Sequence, residues 1–166
     1  KLLKMTGFSE RFRLDWVSAS EGNRFAQIIN EFTEQIRKLG PSPFKNGALL
    51  NGLYDEFKAI KSSLSDNRLR ALIARQRVIT TEGNVYNEIV PKEEFEEILN
   101  NAIYDEFIRN KILEKIKTNG KSVPQISKEI NLEPHKVLNH IVALRAKGLV
   151  DVEKIMEEIP LFISTN

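Results

Sequence analysis

The chain has 166 residues, 25 basic against 23 acidic for a net charge of +2, 41% hydrophobic residues and no cysteine. This is the composition of a soluble folded chain of one domain or two small ones, not of a disordered tail. Without cysteine, these residues form no disulfide, thiolate zinc site, cysteine nucleophile or cysteine-ligated iron–sulfur cluster. His135 and His140 are the only imidazoles, which leaves little material for a metal site or a His-based triad. No apolar run approaches the roughly 20 residues a membrane helix needs, so no membrane contact is expected. Lys1 is not a methionine, and Lys1–Thr6 lacks the features of a signal peptide. A processed product or a fragment of a longer protein is therefore expected, with the cytoplasm as default location.

Leu2 to Gly7 reads as a helix end closed by glycine. In Arg11–Val17, Phe12, Leu14 and Trp16 alternate with Arg11, Arg13, Asp15 and Val17, which predicts a strand. Ser18 or Ser20 would then cap a helix with Phe25, Ile28, Ile29, Phe32, Ile36 and Leu39 on one face. Gly40-Pro41 and Pro43 stop it. A lone strand has no ladder partner. Either a later strand of this chain pairs with it or the missing strands lie upstream of Lys1; the unit reads as the last strand–helix half of an α/β domain. A second helix starts after Asn46-Gly47 and carries Leu49, Leu50, Leu53, Phe57, Ile60 and Leu64. A third is capped by Asp66 and carries Leu69, Leu72 and Ile73, with Arg68, Arg70, Arg75 and Arg77 on its polar side. Arg77–Thr81 fits a strand or a helix tail. After Val90-Pro91 a helix with Glu93 and Glu94 in its first turn buries Phe95, Ile98, Leu99, Ala102 and Ile103.

From Asp105 the pattern is more specific. Phe107, Ile108, Ile112, Leu113 and Ile116 form a helix ending at Asn119-Gly120. Ser122 caps a short helix with Ile126 and Ile130 inward. After the turn Asn131-Leu132-Glu133, Pro134 opens a longer helix with Val137, Leu138, Ile141, Val142 and Leu144 inward. Two strands follow, Leu149–Val152 and Leu161–Ile163, joined by Glu153–Pro160. This order is that of a winged helix-turn-helix, and Ile141–Val150 resembles the stretch of many such domains that runs into the wing. The fold class is thus mostly α with minor β. Residues 1–43 form the strand–helix unit, 44–103 a helical connector and 104–166 the winged helix.

A nucleic-acid role would place Lys136, Asn139, His140 and Arg145 in a major groove. Arg109–Lys147 holds nine basic and three acidic residues, but Asp151–Glu158 holds one basic and four acidic. A wing lying on phosphate should not be acidic, so protein docking is the preferred use of the fold. The arginines Arg68, Arg70, Arg75 and Arg77 could meet an acidic partner surface or phosphate. The plainer reading is a solvated helix face answered by Glu93, Glu94, Glu96 and Glu97.

The stretch Arg11–Ala26, centred on Leu14-Asp-Trp-Val-Ser-Ala-Ser-Glu-Gly22 and running on to Lys38-Leu-Gly-Pro41, resembles the end of the methyl-viologen-reducing hydrogenase delta subunit family. The middle, Arg68–Tyr86, and the winged helix look similar to carboxyl-terminal extensions of such proteins. The resemblance implies a 2Fe-2S cluster on family cysteines and electron transfer from a hydrogenase or formate dehydrogenase subunit to the FAD-containing A subunit of heterodisulfide reductase. The family's cysteines precede this stretch, so they are expected upstream of Lys1. What carries over is Trp16, Ser18, Ser20 and Glu21 as residues near a cofactor. Their plainer readings are a buried strand aromatic, helix caps and a first-turn acid. The expected function is a non-catalytic adaptor of a redox complex, docking through the winged helix. The alternative is a DNA-binding regulator. No paired-acid, nucleophile or phosphate-loop constellation is present, so no residue is assigned to catalysis and none to a metal.

Overall fold

The computed structural model describes residues 1–42, 44 and 50–165. These are mostly helical, with a small antiparallel two-stranded sheet near the carboxyl end. The chain divides into two compact units, Lys1–Tyr54 and Asp55–Asn166.

In the first unit, α1 (Leu2–Met5) ends at Thr6 and Gly7, whose φ of +74° suits glycine. A single 3-10 turn, Ser9–Arg11, follows, and then α2 (Gly22–Leu39). The strand expected over Arg11–Val17 is not formed: the segment begins extended at Phe12 (φ −134°, ψ 128°) but joins no ladder. Alternation dictates an extended backbone; a strand also needs a neighbour to take its N–H and C=O groups, and none lies among the described residues. Side chains tie the segment to α2 instead. The Arg11 guanidinium donates to the carbonyls of Leu39, Gly40 and Pro41 at 2.7, 3.1 and 3.2 Å. It thereby places a cation on the negative, unsatisfied end of α2. Arg13 pairs with Glu31 at 3.1 Å and with Asp15. Gly40, at φ +69°, closes the helix. The stop at Pro43 and the helix start after Asn46-Gly47 lie outside the described residues.

The division between the units falls inside α3 (Leu50–Leu64). The second unit continues with α4 (Asn67–Ala74), α5 (Gln76–Thr81), α6 (Lys92–Lys115), α7 (Val123–Ile130), α8 (Pro134–Ala146), β1 (Val150–Met156) and β2 (Ile159–Ser164). Asp66 caps α4 by accepting from the Leu69 N–H at 2.8 Å. Arg77–Thr81, ambiguous by composition, is helical. The two helices read on either side of Tyr104 are one, α6, 24 residues long; no glycine or proline interrupts Ala102–Asp105. Its apolar side buries Phe95, Leu99, Ile103, Phe107, Ile108 and Ile112, and Ile116 follows at its end. Leu69 of α4, Ile126 of α7, and Val137, Ile141 and Leu144 of α8 belong to the same core, with Val150 and Phe162 from the hairpin.

Local chemistry sets the turns. The Gln125 side chain accepts from the Ser122 N–H at 2.8 Å and from its hydroxyl at 3.1 Å, so Ser122 and Gln125 close the start of α7. Asn131 takes the left-handed conformation at the end of α7, φ 53°, a common asparagine role. The link expected at Glu153–Pro160 shrinks to two residues, because both strands run on past the sequence estimate. Met156 pairs with Ile159, and Glu157 and Glu158 both sit at positive φ, 48° and 67°. A two-residue turn with that pattern suits a twisted hairpin but favours Asn-Gly over two glutamates. The register shifts between Val152 and Lys154, which bulges Glu153. Lys121 adds a bridge to Phe162 through two hydrogen bonds of 3.0 and 2.9 Å.

Ile112 is fully buried, so Ile112→Ala is expected to destabilise the second unit by about 2–5 kcal/mol. Urea unfolding followed by far-UV circular dichroism checks this. Replacing Glu157-Glu158 by Asn-Gly relieves left-handed strain and is expected to raise stability by about 1 kcal/mol in the same assay.

Candidate functional site

The first unit has no buried residue in either helix. Trp16 is 83% exposed, and Phe12, Leu14, Phe25 and Ile29 are exposed as well. The buried strand aromatic expected at Trp16 is therefore a surface aromatic. With no sheet formed, no second face covers it. The expected serine caps are also absent. Glu21 is itself the N-cap residue of α2, and its carboxylate accepts from the Ser18 N–H at 2.8 Å and from Arg24 at 3.1 Å. The hydroxyls of Ser18 and Ser20 face each other at 3.2 Å. Trp16, Ser18, Ser20 and Glu21 thus share one exposed loop leading into α2. The bond from the Ser18 N–H, then that from Arg24, holds the Glu21 carboxyl below its ordinary range.

In the second unit, Arg77 pairs with Glu82 at 3.3 Å. Arg68, Arg70 and Arg75 are exposed, and no described residue forms an ion pair with them. The answering role expected of Glu93, Glu94, Glu96 and Glu97 is not realised. Arg68 and Arg75 instead flank an open groove of about 520 Å³ between α4, α5 and α6, whose walls include Leu72, Ile79 and Ile98.

The expected groove-reading side chains of α8 are placed differently from one another. Lys136 is held by Glu133 at 2.7 Å, which raises its pKa, and Arg145 meets Asp151 at 3.4 Å. His140 is half-buried, and that burial lowers its pKa, opposed by Asp105. Asn139 is exposed. Leu138 and Val142, expected inward, are 45% and 58% exposed. One side of α8 is filled by Val137, Ile141 and Leu144, and residues at +1 along a helix turn about 100° away from that side. The outward surface of α8 is thus led by Leu138, Asn139 and Val142. Of the nine cations between Arg109 and Lys147, Lys128 alone has no carboxylate partner among the described residues. Arg109 and Lys147 meet buried Glu106, Lys111 meets Glu56, Lys115 meets Asp55, Lys117 meets Glu114 and Lys121 meets Glu129. Composition could show the charges but not these cancellations.

A thiolate-held cluster does not fit on these residues, because the chain has no cysteine. Among the described residues no group of three or more histidines or carboxylates is arranged to hold a metal ion. No described helix is long and apolar enough to cross a membrane.

The exposed loop and α2 lie in the part of the chain that other proteins share. Residues 1–40 match the family model described as "Methyl-viologen-reducing hydrogenase, delta subunit". The chain is 52% identical over 46 residues to the iron-sulfur subunit of the F420-non-reducing hydrogenase of Archaeoglobus profundus, covering 27% of this chain and 34% of that protein. It is 41% identical over 46 residues to the A subunit of the Ferredoxin/F(420)H(2)-dependent CoB-CoM heterodisulfide reductase of Methanosarcina acetivorans, covering 26% of this chain and 6% of that protein. The chain thus spans about a third of the first relative and a small part of the second. No solved structure matches it. The resemblance read from Leu14–Gly22 and Lys38–Pro41 is the one the comparisons find.

The Glu21 bond to Ser18 is present at neutral pH. Because the carboxyl pKa is depressed, the bond is lost only as pH falls through that lowered value. The Ser18 amide resonance is expected to titrate with a midpoint below the ordinary glutamate value of about 4.3. In Glu21→Gln that step should vanish, as NMR titration of both proteins would show.

Proposed function

We propose that this chain is a docking part of an electron-transfer complex. It would attach a delta-subunit-like iron–sulfur domain to a heterodisulfide-reductase-like A subunit carrying FAD, beside hydrogenase or formate dehydrogenase subunits. The observation that carries the reading is the exposed aromatic loop, Phe12, Leu14 and Trp16, lying within the 40 residues that match the delta-subunit family. A hydrogenase iron–sulfur subunit and a heterodisulfide reductase subunit resemble the chain over stretches of similar length, as expected of a module reused in related assemblies. The chain's own residues do no bond chemistry on this reading. Trp16 is the anchor, and Ser18, Ser20 and Glu21 shape the rim of the contact near the cofactor domain.

The carboxyl-terminal part, read as a winged helix, serves protein contact. Leu138 and Val142 lead its outward helix face, and Ile155, Met156 and Ile159 are exposed around the hairpin tip. Lys136 and Arg145 are engaged by Glu133 and Asp151, and the turn carries Glu157 and Glu158. A phosphate backbone would have to break the ion pairs and approach the two acids. Sequence-specific DNA binding is the competing reading, favoured only by the surplus of cations in Arg109–Lys147.

Titration calorimetry of the chain against a purified heterodisulfide-reductase-like A subunit tests the proposal. Binding is expected, and Trp16→Ser is expected to weaken it by tenfold or more, the scale of a buried aromatic anchor. No binding, or binding indifferent to Trp16, would overturn it. A gel shift that weakens with salt and with Lys136→Ala plus Arg145→Ala would favour the DNA reading.

A further inference from the structure

Two helices line the groove beside Arg68 and Arg75 with stripes of the same spacing. From α4 come Arg68, Ala71, Leu72 and, at its end, Arg75. From α6 come Ile98, Asn101, Ala102 and Asp105. Both run i, i+3, i+4, i+7, the positions that share one side of a helix over two turns, roughly 10 Å. An alanine stands at the middle of each stripe, where a small side chain lets a third helix approach. A second hollow of about 490 Å³ shares Arg75 and Ile79 with the first and continues past Val78 to Gly83 and Val85. The trough is therefore longer than two turns of α4 and has an apolar floor.

Its charge is one-sided. Asp105 is answered by Arg109 at 3.7 Å, while Arg68 and Arg75 have no ion pair among the described residues. A free phosphate would need no apolar floor, and a nucleic acid would need a run of cations rather than two separated by Ala71 and Leu72. An apolar trough between small residues with an unpaired guanidinium near each end fits an amphipathic helix bearing carboxylates.

We infer that the α4–α5–α6 trough receives an acidic amphipathic helix from another protein of the complex, its apolar stripe over Ala71, Leu72, Ile98 and Ala102 and its carboxylates on Arg68 and Arg75. This rests on the adaptor reading only in taking the occupant from a partner protein. The arginines are the ones singled out by the sequence; the trough explains why they are left unpaired.

The test pans a phage library of 16-residue helical peptides with randomised faces against the whole chain, with counter-selection on Ala102→Phe. Enriched peptides are expected to carry Asp or Glu on both sides of an apolar stripe. Their affinity should drop at least tenfold in Arg68→Glu and in Arg75→Glu, partly recover with lysine at those positions, and stay unchanged in Trp16→Ser. Ala71→Phe, at an exposed position, blocks the trough independently should Ala102→Phe disturb folding. The inference is overturned if no enriched peptide is sensitive to both trough blocks, if the selected flanks are basic or neutral, or if both charge reversals leave affinity intact. It is also overturned if sedimentation shows a dimer of this chain that Ala102→Phe dissolves. Because the peptide assay ignores Trp16, its failure and that of the adaptor reading are told apart.

Discussion

Helix α6 has to be covered at two heights at once. Near its start, Phe95 and Leu99 join a core with Leu69 of α4. Toward its end, Phe107, Ile108 and Ile112 join Ile126, Val137, Ile141 and Leu144 of α7 and α8. Twenty-four residues is about 36 Å at 1.5 Å per residue, longer than either helix cluster could bury alone. The continuous helix therefore binds the helical middle of the chain and the helix–hairpin end into one core. The apolar contacts are supplemented near the middle by buried Glu106, which Arg109 and the exposed Lys147 both meet, and by Asn110, which donates to Ser63 of α3 at 3.2 Å. Such a buried ionic group is costly unless it is paired, and two cations meet it here.

The same packing decides what the surface can do. Folding brings Asp55 and Glu56 of α3 to Lys115 and Lys111 of α6, and Glu133 and Asp151 to Lys136 and Arg145 of α8. A cation already held by a carboxylate adds little to an encounter with phosphate, since the pair must first be opened. Among the described residues, Arg68 and Arg75 of α4 and its junction with α5 are left without an ion pair, and both stand beside a trough rather than along a strip. Electrostatic attraction has moved from the segment that looked basic in sequence to the one that looked like an ordinary helix face.

The first unit is built the opposite way. Its helices bury nothing completely; polar ties such as Arg11 on the last carbonyls of α2 and Arg13 on Glu31 give it shape. Apolar side chains left uncovered on so small a unit represent free energy still available, about 25 cal/mol for each Å² removed from water. The contact proposed at Trp16 would release it against a partner surface. The exposed aromatics and the shared delta-subunit sequence thus point to one property of this end of the chain.

Much of the local architecture was legible in the amino-acid order. Asp66, Ser122, Gly7 and Gly40 mark helix ends through chemistry that acts within a few residues, and the 3–4 spacing of Phe95 to Ile116 marks the buried side of α6 except at Ile98, expected buried but 45% exposed. Trp16, Leu138 and Val142 were misplaced because alternation and helical spacing say which residues share a side, not whether anything packs against it. Arg68 and Arg75 were visible as charges, but the trough between them exists only where Ile98 and Ala102, some thirty positions later in sequence, come alongside. Helix positions, turn chemistry, the absence of thiolates and the family pattern at the start could be read along the chain, because all are properties of neighbouring residues. Tertiary structure alone decided which apolar sides stay open and which charges cancel, because both depend on contacts between residues far apart in the chain.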